Sequence, residues 1–398
     1  MKIDDRAKKL RIAFVLDRYN PRGRGEGYFS WLIEALSKRG HDVHVFAGMS
    51  DETATARYHL HKVRTLRFPR SLMMASFLIN SNRAIRQERF DVVHGVGRCL
   101  CMSVFNPHGG VEKAYLEQEF SSMEGCLYTI YNRLKRHLSL QHYLKLWVQK
   151  NQYASPDVKK IIAISEMVKR DIMRYHRVPE GKITVLSNCV DLERFHPKNR
   201  TLYRESRRRA LGIDAKTLIL LFAGNNFRLK GLVPLLRAVA QLRRRYPDQD
   251  ICLWVAGRGQ TARFSRIARR LGISRYVTFL GSVQGMEECY AASDIYVHPT
   301  FYDPCSLTVL EALASGLPVV TTRFNGAADV MTSNEAGKVI EDPGDIEILA
   351  EAIAWFFDEG RRDEARVVAR QWMENHPPAR HVEEMLNIYY EAAGQAGV

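Results

Sequence analysis

The chain has 398 residues, too many for one ordinary domain and enough for two of about 200. A composition of 46% hydrophobic and 26% charged residues excludes a disordered chain. The net charge of +15 is unevenly spread: residues 1–199 carry 34 Lys and Arg against 20 Asp and Glu (+14), and residues 200–398 carry 25 against 24 (+1). The first half is therefore expected to meet something anionic, and nucleic acid, a phosphorylated glycan or an acidic lipid surface all satisfy that field.

From the start, Met1 to Arg11 is polar and lacks the apolar core of a signal segment, and no later apolar run approaches the ~20 residues that span a bilayer. The expectation is a cytoplasmic chain, at most peripheral on the inner face of a membrane. The seven cysteines are scattered without a Cys-x-x-Cys pair, as in a protein whose thiols stay reduced. Apolar, β-branched runs at Arg11–Leu16, Asp42–Phe46, Asp91–Val96 and Lys160–Ile164 read as strands, with helices at Glu26–Arg39 and Glu166–Arg174. A polar, Arg-rich stretch with Pro197, Asn188–Arg209, interrupts the pattern and marks a boundary. Strands resume at Thr217–Ala223, Ile251–Ala256, Val277–Leu280, Asp294–His298 and Pro318–Thr322. Such runs, each followed by an amphipathic helix, predict parallel sheets covered on both faces, and the pattern occurs twice. Expected domains are 1–190 and 191–378. Residues 379–398 form a last amphipathic helix that either packs on its own domain or crosses back to the first.

In doubly wound sheets ligands sit where strands lead into helices. Three such loops stand out. Pro21-Arg22-Gly23-Arg24-Gly25-Glu26-Gly27 follows the first strand, and glycines before a helix allow backbone N–H groups to approach an anion. Its spacing is not that of the dinucleotide fingerprint. Gly224-Asn225-Asn226-Phe227-Arg228-Leu229-Lys230-Gly231 opens the second half, with cations suited to a departing pyrophosphate and no Walker lysine-serine pair. The third is Pro299-Thr300-Phe301-Tyr302-Asp303-Pro304-Cys305-Ser306, leading into Leu307 to Ala312. Ser306 is a natural N-cap there, and Glu311, on a mostly apolar helix, needs a polar partner.

Together these features resemble family 4 (group 1) of the retaining glycosyltransferases. The resemblance is carried by Ser187-Asn188-Cys189-Val190-Asp191-Leu192-Glu193-Arg194-Phe195-His196-Pro197, by Val277-Thr278-Phe279-Leu280-Gly281, and by Asp303 and Glu311 followed by Ala314-Ser315-Gly316-Leu317-Pro318-Val319. Within the family the chain looks most like the lipopolysaccharide-core glucosyltransferases, on the Asn226-Phe227…Lys230-Gly231 turn and a long basic insert after His108. The resemblance implies an α/β, GT-B fold of two doubly wound Rossmann-like domains facing a cleft. It implies a nucleotide-sugar donor, UDP-glucose first, a glycan or glycolipid acceptor, and no cofactor or metal. Lys230 and Arg228 would bind the diphosphate, Glu311 the ribose, and Asp303 with the Cys305, Ser306 and Leu307 backbone the sugar. Gly281 and Val283 would read the base, Gly23 and Gly25 would close over the phosphates, and His108 would stand beside the reacting sugar. Three positions depart from the pattern: Asp303 replaces a glutamate, Asn225 an arginine and Cys189 a glycine.

The charged leaving group would be stabilised by these cations and a helix N-terminus. The expectation of no metal rests on reading the sequence as lacking the Asp-x-Asp run of metal-dependent sugar transferases, and no metal ligand is assigned. Between Tyr115 and Lys160, residues such as Tyr128, Tyr131, Arg136, Tyr143, Lys145 and Trp147 mix aromatics with cations, which suits either a lipid surface or a helix packed on the first sheet. Competing readings are a nucleic-acid-binding protein, a nucleotide-sugar epimerase and a catalytically degenerate scaffold. No reading helix or interleaved aromatic sheet supports the first, and Tyr143 has Trp147 where an epimerase would place lysine.

Overall fold

The computed structural model describes residues 8–20, 24–50, 57–66, 68–123 and 125–395. They divide into two compact units, one made of residues 1–116, 125–188 and 379–398, the other of 117–124 and 189–378.

The first unit contains β1 (Arg11–Tyr19), α1 (Arg24–Lys38), β2 (Asp42–Ser50), β3 (His59–Lys62), α2 (Arg70–Arg86), β4 (Val92–Gly95) and β5 (Val104–Phe105). After these come α3 (Glu112–Ser121), α4 (Cys126–His137), α5 (Leu140–Ala154), β6 (Lys160–Ala163), α6 (Glu166–His176) and β7 (Ile183–Val185). The end of α3 belongs to the second unit. Its strands are all parallel, in the order β3-β2-β1-β4-β5-β6-β7. β1 is buried on both faces from Ile12 to Val15 because helices cover each side of a parallel sheet.

The second unit contains α7 (Asn199–Ala210), β8 (Leu218–Ala223), α8 (Leu232–Arg245), β9 (Ile251–Ala256), α9 (Thr261–Arg270), β10 (Val277–Gly281) and α10 (Met286–Ala292). It continues through β11 (Ile295–His298), α11 (Leu307–Ala314), β12 (Val319–Thr322), β13 (Gly337–Ile340), α12 (Ile346–Ala354) and α13 (Glu359–Glu374). The parallel order β10-β9-β8-β11-β12-β13 puts the reversal of connection between β8 and β11. That is where a doubly wound sheet opens its ligand crevice. β8 and β9 are buried at every residue, matching their unbroken apolar sequences.

The C-terminal part of the Arg-rich stretch read as a boundary is helix α7, and Arg200, Arg204 and Arg208 on it turn toward one buried carboxylate while Arg209 is exposed. Arg208 and Asp294, both almost fully buried, pair at 2.5 Å, and Arg204 joins the same carboxylate at 2.8 Å. Burial would raise the Asp294 pKa, but Arg204 and Arg208 override it and hold the carboxyl low. The last helix, α14 (Pro378–Ala392), packs into the first unit, with Tyr389 Oη and His94 Nδ1 at 2.6 Å and Tyr28 Oη and His381 Nε2 at 2.6 Å.

Candidate active site

Two loops of the second unit follow the central strands β8 and β11, and close backbone packing joins them. Phe301 N–H and the Thr300 hydroxyl both donate to the Leu229 carbonyl, at 2.8 and 3.1 Å. Gly231 has φ +81°, and a Cβ there would lie 1.9 Å from the Pro299 carbonyl oxygen. Only glycine allows that approach without displacing the backbone. Asp303 is fixed from its other side, its N–H donating to Phe324 O and its carbonyl accepting from Gly326 N–H. Asn325, almost fully buried, accepts from the N–H groups of Ser306 and Ala327 and donates to Thr321 Oγ1.

This packing brings Lys230 and Asp303 together. Lys230 Nζ lies 2.6 Å from Asp303 Oδ2 and donates to the Tyr302 carbonyl at 3.1 Å. His298 Nε2 is 3.4 Å from the same carboxylate oxygen. Burial acts to raise the Asp303 pKa, but the Lys230 ammonium and then His298 dominate and hold it far below the usual carboxylate range. Burial lowers the pKa of His298 against the opposing pull of Asp303.

A buried polar chain continues from His298 to Glu311. His298 Nδ1 lies 3.3 Å from Tyr296 Oη, which donates to Thr308 Oγ1 at 2.7 Å. Tyr290 Oη is 3.2 Å from the Thr308 carbonyl and donates to Glu311 Oε2 at 2.7 Å. The partner that a carboxylate on an apolar helix requires is thus Tyr290. Ser306 holds the N-cap position of α11 but makes no capping hydrogen bond; its hydroxyl pairs with Thr308 Oγ1 at 3.0 Å instead. Cys305 and Ser306 are buried, and Leu307 is half-buried at the helix start. Gly281 ends β10 at φ +67° with its carbonyl accepting from Gly257 N–H at 2.7 Å, and half-buried Val283 follows it.

Arg228 is turned to other partners. Its guanidinium lies 3.2 Å from Glu119 Oε1, on the wall of a cavity of about 570 Å³ also lined by Ser122, Arg237, Phe301 and Arg323. Lys230, Asp303 and Glu311 are not among the residues lining that cavity. Asn225, in the family arginine's place, accepts from Arg258 N–H at 3.1 Å and so ties the β8 loop to the β9 loop.

In the first unit, His108 Nε2 lies 3.0 Å from Asn188 Oδ1, and its ring stacks on Tyr28 at 5.4 Å between centroids. Gly25 lies in the first turn of α1, and Gly23 falls outside the described residues. One Asp-x-Asp run does occur in the sequence, Asp248-Gln249-Asp250. It precedes β9, where Asp250 accepts from Thr217 and Leu218 at the amino ends of the strands, opposite the loops above. Tyr290, Tyr296, His298 and Asn325 were not singled out by sequence. The available signal was Tyr296 and His298 at alternate positions of an otherwise apolar strand, hence on one face.

Residues 27–194 match the model of Glycosyltransferase Family 4, and residues 217–359 match that of Glycosyl transferases group 1. The chain is 22% identical over 382 residues to the lipopolysaccharide glucosyltransferase WaaG of Escherichia coli K12, covering 95% of each protein. It superimposes on a crystal structure of WaaG, a glycosyltransferase involved in lipopolysaccharide biosynthesis, with a TM-score of 0.80 at 21% identity, over 95% of this chain and 99% of that one. Anabaena Alr3699/HepE in complex with UDP and glucose gives a TM-score of 0.71 at 13% identity, over 96% and 99%. Two parallel-sheet Rossmann-like domains of GT-B type are thus shared with these structures.

Proposed function

The chain belongs to the family 4, group 1 glycosyltransferases, and we propose that it moves glucose from UDP-glucose to a lipid-linked glycan of the lipopolysaccharide-core type, retaining anomeric configuration and using no metal. The observation that carries this reading is the union of Lys230, Asp303 and Glu311 by one buried polar chain beside the N-terminus of α11. Full-length similarity to WaaG and the UDP and glucose held by HepE support the choice of donor and acceptor class.

Transfer breaks the bond between the sugar and the β-phosphate, and negative charge grows on the departing diphosphate. Lys230 uses two of its three N–H donors on Asp303 and Tyr302, leaving one for a phosphoryl oxygen. The N-terminus of α11 adds positive potential at the same end of the sheet. Glu311, oriented by Tyr290, holds the ribose hydroxyls, and the backbone from Cys305 to Leu307 with Asp303 holds the sugar. Gly281 and Val283 read the base, as the family resemblance implies. The acceptor hydroxyl forms the new glycosidic bond on the face the diphosphate leaves, and its proton passes to a departing phosphate oxygen. His108, held through Nε2 by Asn188, orients the sugar rather than acting as the base. Arg228 contributes to the diphosphate field only if it exchanges Glu119 for the ligand.

We place the enzyme at the cytoplasmic face of a membrane. Among the described residues no helix is long and apolar enough to cross one. Along α4 and into α5, Tyr131, Leu134, Leu138, Leu140, Tyr143 and Trp147 are exposed, with Leu138 at 88%, beside Lys135 and Arg136. Exposed apolar side chains beside cations suit an anionic lipid surface.

A thermal-shift panel of UDP-glucose, UDP-N-acetylglucosamine and GDP-mannose in excess chelator tests the donor. UDP-glucose is expected to give the largest rise in melting temperature. No shift with any of the three, combined with salt-dependent oligonucleotide binding, would overturn the enzyme reading in favour of a nucleic-acid-binding protein.

A further inference from the structure

At the edge of the first sheet, outside every residue assigned to sugar transfer, three imidazoles and two carboxylates gather. β3 is the edge strand, and its parallel register sets His59 beside His44 and His61 beside Phe46. Side chains two apart on a strand share a face, so His59 and His61 lie on the same face as their register partners His44 and Phe46. His44 is almost fully buried there, whereas His59 and Asp42 are open to solvent.

Asp42 Oδ1 lies 3.1 Å from His44 Nε2 and 3.5 Å from His59 Nε2. The three ligand atoms all lie within 4.8 Å of one another. Zinc bonds to nitrogen and oxygen of about 2.0–2.2 Å imply edges of about 3.3–3.5 Å between ligands of one tetrahedral ion. The two shorter separations are already close to that spacing. On the far side of the same ring, His44 Nδ1 is 2.9 Å from His61 Nε2. With the proton on His44 Nδ1, donated to His61, the lone pair of His44 Nε2 points toward Asp42 and His59. This is the arrangement by which a second imidazole or carboxylate orients a ligating histidine.

Charge permits the ion. Arg11 occupies the other oxygen of Asp42, Oδ2, at 3.1 Å, and it is itself answered by Glu88 at 2.6 Å. One guanidinium against two carboxylates leaves the cluster at a formal charge of −1 with neutral imidazoles. Imidazole-rich sites select zinc-class transition metals over calcium or magnesium.

We propose that Asp42 Oδ1, His44 Nε2 and His59 Nε2 bind one divalent transition metal of the zinc class, with His61 as the positioning residue and solvent completing the coordination. The metal pins β3 to β2 and serves the first unit's edge rather than the transfer reaction.

The test is a titration of the untagged, metal-stripped full chain with Co²⁺, whose visible spectrum distinguishes tetrahedral from octahedral coordination. One equivalent should bind with tetrahedral bands that Zn²⁺ abolishes. His59→Ala, an exposed position that leaves the fold intact, should remove the bands, and His61→Ala should weaken binding about 10–100-fold, as loss of an orienting partner does. Zn²⁺ should raise the melting temperature of the parent and not of His59→Ala. Octahedral bands alone, or full binding by His59→Ala, would overturn the site.

Discussion

Lys230 is held by Asp303 and the Tyr302 carbonyl, so its ammonium is positioned before a donor arrives. Both loops stood out in the sequence as candidate ligand loops, because glycine, cations and an apolar strand before a helix are local signals. The contact between them was not, since it depends on Gly231 passing the Pro299 carbonyl and on Asn325 from a third loop. Arg228 shows the opposite limit. A cation in the right loop reads as a phosphate ligand, yet Glu119, far away in sequence, has taken it. The partner of Glu311 leads to a prediction. Tyr290→Phe removes a hydrogen bond to a carboxylate, a contact of about 1.5–3 kcal/mol. If Tyr290 acts only by orienting Glu311 on the ribose, KM for the donor should rise about tenfold while kcat changes little. Steady-state kinetics check the split, and an unchanged KM would separate Tyr290 from the site.

Apolar strands of the second half were read within a residue or two of their true ends, as at Ile251–Ala256, whereas β1 and β2 run three and four residues beyond Leu16 and Phe46. β3 was missed because its residues, His59-Leu60-His61-Lys62, give no apolar alternation. Short β5 and β7 lack the length to register as a pattern. The first unit also carries an acid sensitivity that its elements explain. Burial is the first cause of lowered pKa values at His41, His176 and His381, each to about 4, and at His94, to about 3. The helix α14 supplies His381 and covers His94 through Tyr389. These histidines protonate near pH 6.5 when unfolded and near 4, or about 3 for His94, when folded, so between those values the unfolded chain binds more protons. Stability is full above about pH 6.5 and falls as pH drops toward 4, by up to ~1.4 kcal/mol per pH unit for each histidine. The Asp303 carboxyl, depressed in the fold, adds nothing to this window: its contribution persists down to about pH 4 and is lost only below. Calorimetry from pH 7 to 4.5 should show a steadily falling melting temperature, and a flat profile would contradict the assignment.

At the scale of the whole chain, the duplicated strand–helix rhythm made two Rossmann-like domains readable, and the family 4 and group 1 matches fall within separate halves. Their outlines were less readable, because the last helix joins the first unit and residues 117–124 join the second. Such exchanges are set by tertiary packing. Charge was legible in amount but not in use: the arginines of α7 serve the buried Asp294. The excess of the first half, +14 over residues 1–199, is the charge that the proposed anionic surface would meet. Vesicles with anionic lipid should therefore sediment the protein at low salt, and the bound fraction should drop sharply when salt is raised to 0.5 M, where screening acts within about 4–5 Å. Replacing Leu134 and Leu138 by serine should weaken binding at every salt concentration. Equal binding to neutral vesicles would remove the electrostatic part.

Glucosyl transfer from UDP-glucose to lipopolysaccharide-core acceptor in excess chelator, measured for the parent, Lys230→Ala and Glu311→Ala, probes the donor site most directly. Circular dichroism should show both variants folded, with transfer at subsaturating donor reduced about 100- to 1,000-fold for Lys230→Ala, the scale of losing a preorganised charge at a developing oxyanion, and by a comparable order for Glu311→Ala through lost ribose binding. Folded variants that transfer glucose at the parent's rate would contradict the account.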